Sequence, residues 1–368
     1  MKVTRRKFLN ICLNTGAWLA TSNITKLTAQ EKLKESQYYL VKDNLQVQCI
    51  KCPYQCLIKN HQRGFCRVRE NQGGKLYSIT YANPCAVHVD PIEKKPFFHV
   101  LPGSQSYSIA TVGCNLRCKF CQNWQISQSD PEDIKSVYLE PEDIVAGARQ
   151  TKCLSIAYTY TEPTVFYEYC LDISKIAQGY GIKNVMHSNG YINPDPLRKL
   201  VKHLDAVNVD LKSFSDDYYQ KVCQGDLTTV TNSLKIIKQE LGVWLELTNL
   251  VVPTLNDYPD QIKMMCDWIV QELGQEVPLH FSRFYPTYKL SSLAPTPLST
   301  LEKAYQIAKQ AGLYFVYIGN VPGHKTENTY CPECSNILIE RSGYVVIKNS
   351  IGKGVCSKCS RNIPGIWA

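Results

Sequence analysis

The sequence predicts an α/β protein: a partial (β/α)6 TIM-like barrel with small cysteine-rich, metal-binding modules at its N- and C-terminal ends. Three observations predict it. From about Ser106 to Gly319, short β-branched or aromatic runs alternate with helical segments at the spacing of parallel β/α units. The units number six or seven rather than eight, which favours an incomplete barrel with its chemistry at the C-terminal strand ends. Most of the 17 cysteines fall into groups with metal-ligand spacing, and an odd total excludes complete intramolecular disulfide pairing, so they read as reduced ligands.

In chain order, residues 1–30 read as a leader: Thr4-Arg5-Arg6-Lys7-Phe8-Leu9, a moderately apolar stretch to Ala20, then Leu27-Thr28-Ala29. This resembles a twin-arginine export signal. A thiol-rich, metal-binding chain fits poorly with an oxidising compartment, so cytoplasmic chemistry is expected while the leader leaves export open. Residues 45–103 form a Cys-rich N-terminal module and lead-in. From Lys75 to Gly103, irregular alternation around Pro84, Pro91, Pro96 and Pro102 predicts hairpins and ordered loops outside the core.

The barrel is expected over 104–322. Its strands are predicted at 107–112, 155–160, 183–187, 206–211, 244–252, 278–284 and 314–319. Helices are predicted at 141–151, 163–179, 195–203, 228–240, 258–273 and 298–311, with Pro141 in a favoured first-turn position. Residues 328–368 form a zinc-ribbon-like tail. The composition, 44% hydrophobic and 20% charged over 368 residues, is globular rather than disordered. No stretch approaches the roughly 20 apolar residues of a membrane span. The formal charge of +9 includes five basic residues and no acid within 1–30, so the remainder carries +4, and charge implies no nucleic-acid partner.

The sharpest motif is Cys114-Asn-Leu-Arg-Cys118-Lys-Phe-Cys121, directly after the first barrel strand. A structural zinc site takes four protein ligands, whereas three cysteines in eight residues suit a cubane [4Fe–4S] cluster whose fourth iron stays open to a substrate or cofactor. At later strand ends stand Glu162 in Thr159-Tyr-Thr-Glu-Pro163, then Ser188-Asn189-Gly190, then Asp210-Leu211-Lys212. Strand alternation puts Asp210 and Lys212 on one face, toward the barrel interior. Taken alone, Glu162-Pro163 also reads as a helix cap and Ser188-Asn189-Gly190 as a turn. Asn249, His280 and Arg283 occupy corresponding rims.

The Cys-x3-Cys-x-aromatic-Cys spacing, with Phe120 as its aromatic residue, resembles the radical S-adenosylmethionine (SAM) superfamily. The resemblance implies a cluster on Cys114, Cys118 and Cys121, the Phe120 aromatic beside it, reductive cleavage of SAM to a 5′-deoxyadenosyl radical, and hydrogen abstraction from a substrate. It also implies SAM contacts at Glu162, Ser188 and Asn189, and at Asp210 and Lys212, which resemble the Asp-x-Lys motif of glycyl-radical activating enzymes. Further segments, Asp90-Pro-Ile-Glu-Lys-Lys-Pro96, Cys121-Gln-Asn-Trp124 and Val316-Tyr-Ile-Gly-Asn320, make the chain similar to the radical SAM enzyme of the AmmeMemoRadiSam system, akin to pyruvate formate-lyase activating enzymes. That likeness implies Memo-like and AMMECR-type protein partners and a low-potential electron donor. Tyr54 and Ser335 depart from it, where histidine and glycine are expected. A glycyl-radical activase acting on a protein is one alternative, and a zinc-stabilised iron–sulfur electron-transfer module is another.

Cys331, Cys334, Cys356 and Cys359 form two Cys-x-x-Cys pairs 21 residues apart, a zinc-ribbon pattern in which the metal supplies folding energy. Cys49, Cys52, Cys56 and Cys66 suit either zinc, favoured by the knuckle-like Gly64 turn, or a second cluster. Cys12, Cys85, Cys153, Cys170, Cys223 and Cys266 are isolated and read as buried small apolar residues.

Overall fold

Parallel strands need a crossover between them, and the helices that the sequence spaces between its β-branched runs supply it. In the computed structural model, which describes residues 33–367, one sheet of eight strands dominates. The leader expected over 1–30, with Cys12, lies outside the described residues. Strand β1 (Ala86–Pro91) runs antiparallel at one edge. After it come, in sequence order and mutually parallel, β2 (Gln105–Ala110), β3 (Ser155–Tyr158), β4 (Lys183–Ser188), β5 (Ala206–Asp210), β6 (Trp244–Val251), β7 (Leu279–Arg283) and β8 (Val316–Gly319). The helices between them are α1 (Pro141–Gln150), α2 (Tyr167–Gly179), α3 (Pro194–Val201), α4 (Leu227–Lys235), α5 (Pro259–Glu272) and α6 (Leu298–Gln310). Six β/α units and a last parallel strand make the expected partial barrel. No helix among the described residues is long and apolar enough to cross a membrane.

Local chemistry explains these boundaries. Proline opens α1, α3 and α5, where a missing N–H costs nothing. Helix α3 buries Leu197, Leu200 and Val201 on one face, spaced for a single helical stripe. The expected helix 228–240 is α-helical only to Lys235 and continues as a π-helical turn, Ile236–Glu240. A second π-helical turn, Tyr219–Cys223, ends in Gln224 with a left-handed φ of 57°.

The segment expected to lie outside the core is part of it. Its prolines break the alternation by which a strand is recognised, yet β1 joins the main sheet and residues 92–101 enter the barrel. Ile92, Phe97, Val100 and Leu101 pack on Ala157, Val185 and Ala206, which project inward from β3, β4 and β5. Fully burying a side chain of this kind contributes roughly 1.5–3 kcal/mol, so the plug stabilises the barrel from within.

The C-terminal ribbon packs onto the same plug. Hairpin strands β9 (Ile337–Ser342) and β10 (Val345–Asn349) pair antiparallel. Buried Arg341 on β9 donates to the Phe98 carbonyl at 2.7 Å and to Thr329 Oγ1 at 2.8 Å, while its Nε lies 3.6 Å from Glu93.

Candidate active site

A cavity of about 460 Å3 opens at the C-terminal ends of the strands, where inward-facing positions carry His187, Asp210, Thr248, His280, Ser282 and Gly319. Cys114, Cys118 and Cys121 form part of its wall. Their loop leaves β2 through Gly113, whose φ is +103°; a Cβ there would meet the Cys66 carbonyl oxygen at 2.8 Å and Val68 at 2.7 Å. Glycine is required by both the backbone angle and the close approach.

The far side of the loop is held by the π-helical turn. Arg117 N–H donates to the Cys223 carbonyl at 2.8 Å and Lys119 N–H to the Val222 carbonyl at 3.0 Å. The same turn sets the Cys223 thiol near Cys118, where it raises the Cys118 pKa. Cys223 is buried in the core as its sequence suggests, and it also neighbours the cysteine loop. No local sequence signal marks that proximity, because it joins segments distant in sequence and depends on a non-α turn.

Arg117 Nη1 also donates to the Cys114 carbonyl at 2.8 Å, Leu116 N–H points at Cys114 Sγ from 3.4 Å, and Ser127 Oγ lies 3.2 Å from Cys121 Sγ. Among the described residues, the three thiols are not gathered within 4.8 Å of one another as single-ion ligands would be. Their spread around a cavity wall fits a multinuclear cluster better than one ion. Burial pushes the Cys114 thiol well up, and the nearby Cys223 thiol together with burial does the same to Cys118, so thiolates here need a metal to stabilise them.

Glu162 is a buried hub. Its Oε1 accepts from Thr164 N–H (2.9 Å), Thr164 Oγ1 (2.7 Å) and Ser188 Oγ (2.8 Å), and its Oε2 accepts from Asn189 N–H at 2.8 Å. It caps the turn Pro163–Phe166 and pins the end of β4 to the end of β3. Burial raises its pKa although these donors favour the ionised form. The Asn189 amide reaches the cysteine loop itself, donating to Asn115 Oδ1 at 2.9 Å and lying 3.8 Å from Cys114 Sγ. Glu162, Ser188 and Asn189 thus form one connected unit with Cys114.

Asp210 and Lys212 both face the cavity. Lys212 Nζ donates to Asp210 Oδ2 at 2.9 Å, and His187 Nε2 sits 3.0 Å from Asp210 Oδ1. Burial alone would raise the Asp210 pKa, but Lys212 and His187 hold it well below the carboxylate range. Burial likewise opposes the Lys212 charge, yet Asp210 keeps its pKa well above normal. The Lys212 ammonium lies 5.6 Å from the buried Phe120 ring centroid. His187 was missed from the sequence, although strand alternation from Val185 would have placed it inward.

His280 and Asn249, rim candidates on β7 and β6, are held by protein partners. His280 Nε2 lies 2.7 Å from Glu246, and the Asn249 amide donates to the Leu211 carbonyl at 2.7 Å. Arg283 Nε donates to the Thr296 carbonyl at 2.9 Å. The plug contributes a charged wall instead. Lys95 Nζ donates to Asp90 Oδ2 at 2.6 Å and lies 3.9 Å above the Tyr160 ring, whose hydroxyl also donates to Asp90.

The outer cysteine groups differ in shape. Ligand atoms of Cys331, Cys334, Cys356 and Cys359 all lie within 4.8 Å of one another, with contacts of 3.5 Å between Cys331 and Cys359 and 3.7 Å between Cys334 and Cys356. Cys49, Cys52, Cys56 and Cys66 line one small cavity behind the cysteine loop.

The radical SAM superfamily profile matches residues 108–269. The uncharacterized protein MJ0808 of Methanocaldococcus jannaschii is 49% identical over 309 residues, spanning 84% of this chain and 92% of that protein. The pyruvate formate-lyase-activating enzyme of Clostridium pasteurianum is 25% identical over 165 residues, or 43% of this chain and 66% of that one. Among solved structures, Streptococcus suis SuiB aligns with a TM-score of 0.48 and 13% identity, over 62% of this chain and 52% of that chain.

Proposed function

The chain belongs to the radical SAM superfamily, and from that premise we propose that it cleaves S-adenosylmethionine reductively and uses the 5′-deoxyadenosyl radical to take hydrogen from a substrate in the same cavity. The observation that carries this reading is the loop of Cys114, Cys118 and Cys121 opening onto a cavity walled by the Glu162 and Asp210 networks. Bound by those three cysteines, a [4Fe–4S] cluster supplies one electron and, at its iron without a thiolate, a coordination position for SAM.

The protein's own part is positioning and charge. Glu162 holds Ser188 and Asn189 against the cysteine loop, so polar groups from two strand ends keep a fixed relation to Cys114. Lys212 offers a permanently charged donor to the cavity, kept in place by Asp210 and over Phe120. The partial barrel and its plug screen these groups from water, which strengthens each electrostatic contact.

Asp210→Asn should weaken SAM binding about tenfold, since Lys212 and His187 both lose their charged partner and a charge-assisted contact contributes about 1.5 kcal/mol or more. Equilibrium dialysis with SAM checks this, and unchanged affinity contradicts the assignment of Asp210. The reaction itself is tested by release of 5′-deoxyadenosine from the reduced, anaerobically reconstituted protein. A chain that binds no SAM would leave only the electron-transfer reading.

Likeness to enzymes named for activating pyruvate formate-lyase supports a protein target, and the AmmeMemoRadiSam resemblance supports Memo-like and AMMECR-type partners. Passage of deuterium from a labelled candidate into 5′-deoxyadenosine identifies the target. The tight C-terminal cysteine group supports structural zinc there. The need for SAM and a low-potential electron donor supports cytoplasmic chemistry, while the twin-arginine-like leader leaves export open.

A further inference from the structure

Cys49 ends a short strand, Cys52 and Cys56 lie on the turn that follows, and Cys66 precedes the strand Arg69–Gln72. The turn is closed by Cys49 N–H donating to the Cys56 carbonyl at 3.0 Å, and Phe65 N–H points at Cys56 Sγ from 3.4 Å. All four side chains wall a single cavity together with Tyr54, Arg69 and Asn115.

Two observations say what this cavity takes. The first is sulfur spacing. A tetrahedral zinc ion with bonds of ~2.3 Å holds its thiolates ~3.8 Å apart. The C-terminal group matches, and among the described residues it is the only group of three or more Cys, His, Asp or Glu side chains drawn within 4.8 Å. The N-terminal four share a cavity but are spread more widely than one ion's sphere, as the Cys114 loop is.

The second is Arg69, which is 2% exposed. Its Nη1 donates to Ser36 Oγ at 2.7 Å and to Glu168 Oε2 at 2.5 Å, while its Nε and Nη2 have no protein acceptor. Glu168 is shared with buried Lys51, so one carboxylate faces two cations. Buried unused guanidinium donors on the wall of a sulfur-lined cavity call for an anion rich in acceptors.

We propose that Cys49, Cys52, Cys56 and Cys66 hold a second [4Fe–4S] cluster, with a thiolate on every iron and Arg69 as its counter-cation. This reverses the preference for zinc drawn from the Gly64 turn. Four thiolates on a cubane of charge 2+ leave a net 2−, which suits the excess positive charge of Arg69 and Lys51. With no open iron, this centre binds no SAM. It lies close behind the catalytic loop: Asn115 adjoins Cys114, and the Arg117 guanidinium stacks 3.9 Å from the Phe65 ring while donating to the Cys114 carbonyl.

The proposal stands independently of SAM cleavage and is tested without it. In the full chain carrying Cys114→Ala, Cys118→Ala and Cys121→Ala together, anaerobic reconstitution should leave about four irons, four sulfides and one zinc per chain, with the Mössbauer doublets of a cubane. No iron and two zinc ions would overturn it. If that variant does not fold, the wild-type chain decides: about eight irons with one zinc supports the second cluster, and about four with two zinc ions refutes it. Failure of the catalytic reading would look different, since removing the triad would then lose no iron relative to wild type.

Discussion

Cys118→Ala will release no 5′-deoxyadenosine above a protein-free control under reducing, oxygen-free conditions, a loss of at least about a thousandfold. Two thiolates cannot hold the cluster that three place beside the cavity, so about four irons per chain should disappear with the activity. The substitution removes one buried sulfur and leaves the loop's backbone clamp to Val222 and Cys223 untouched, so the fold should persist. Retained SAM cleavage would remove the mechanism. Cys223→Ala is the paired experiment, because the Cys223 thiol neighbours Cys118 and, as a fourth thiolate, would fill the iron that should stay open. It should keep cleaving SAM. If Cys223→Ala instead abolishes cluster binding, the site has four ligands and no open iron.

Much of this architecture was legible because its signals are local. Each barrel strand lies within a few residues of its expected position, since β-branched runs and first-turn prolines act over single elements. The cysteine loop was legible for the same reason, and Asp210 and Lys212 face the cavity as alternation required. What escaped depends on contacts distant in sequence. Residues 92–101 form an internal plug in which Pro96, with Pro91 and Pro102 on either side, conceals any period. Cys223 reaches Cys118 through a π-helical turn that no periodicity announces. Glu162 carries both readings its sequence allowed, a cap on Pro163–Phe166 and a polar group at the cavity, because one buried carboxylate has enough acceptor sites for both. The two outer cysteine groups differ in spacing, but the choice of metal at the N-terminal one turns on how far the fold spreads its sulfurs, which spacing alone does not give.

The plug also carries a pH dependence. His99 is fully buried, with Nδ1 2.8 Å from the Pro364 carbonyl oxygen and Nε2 2.7 Å from the Tyr317 hydroxyl. A carbonyl only accepts, so Nδ1 carries the proton and Nε2 of the neutral ring accepts from Tyr317. Protonating Nε2 would set two donors against each other unless the Tyr317 hydroxyl turned toward Thr329 Oγ1, 3.0 Å away. Burial is the main cause that lowers the His99 pKa to about 4, with Arg341 acting in the same direction and Glu246 opposing. The unfolded chain, with an imidazole near 6.5, then binds the proton more readily than the folded one. His99 should therefore contribute its full stabilisation above pH 6.5 and lose about 3 kcal/mol as pH falls toward 4. Glu246 accepts the backbone N–H groups of Phe98 and His99, and His280 keeps its pKa low despite burial, so it adds to the acid loss at still lower pH. NMR of histidine-labelled protein should show His99 titrating near 4, and denaturant unfolding should weaken from pH 6.5 downward. A His99 resonance titrating near 6.5, or an unfolding free energy flat across that interval, would mean that the plug's imidazole is not held neutral by its burial.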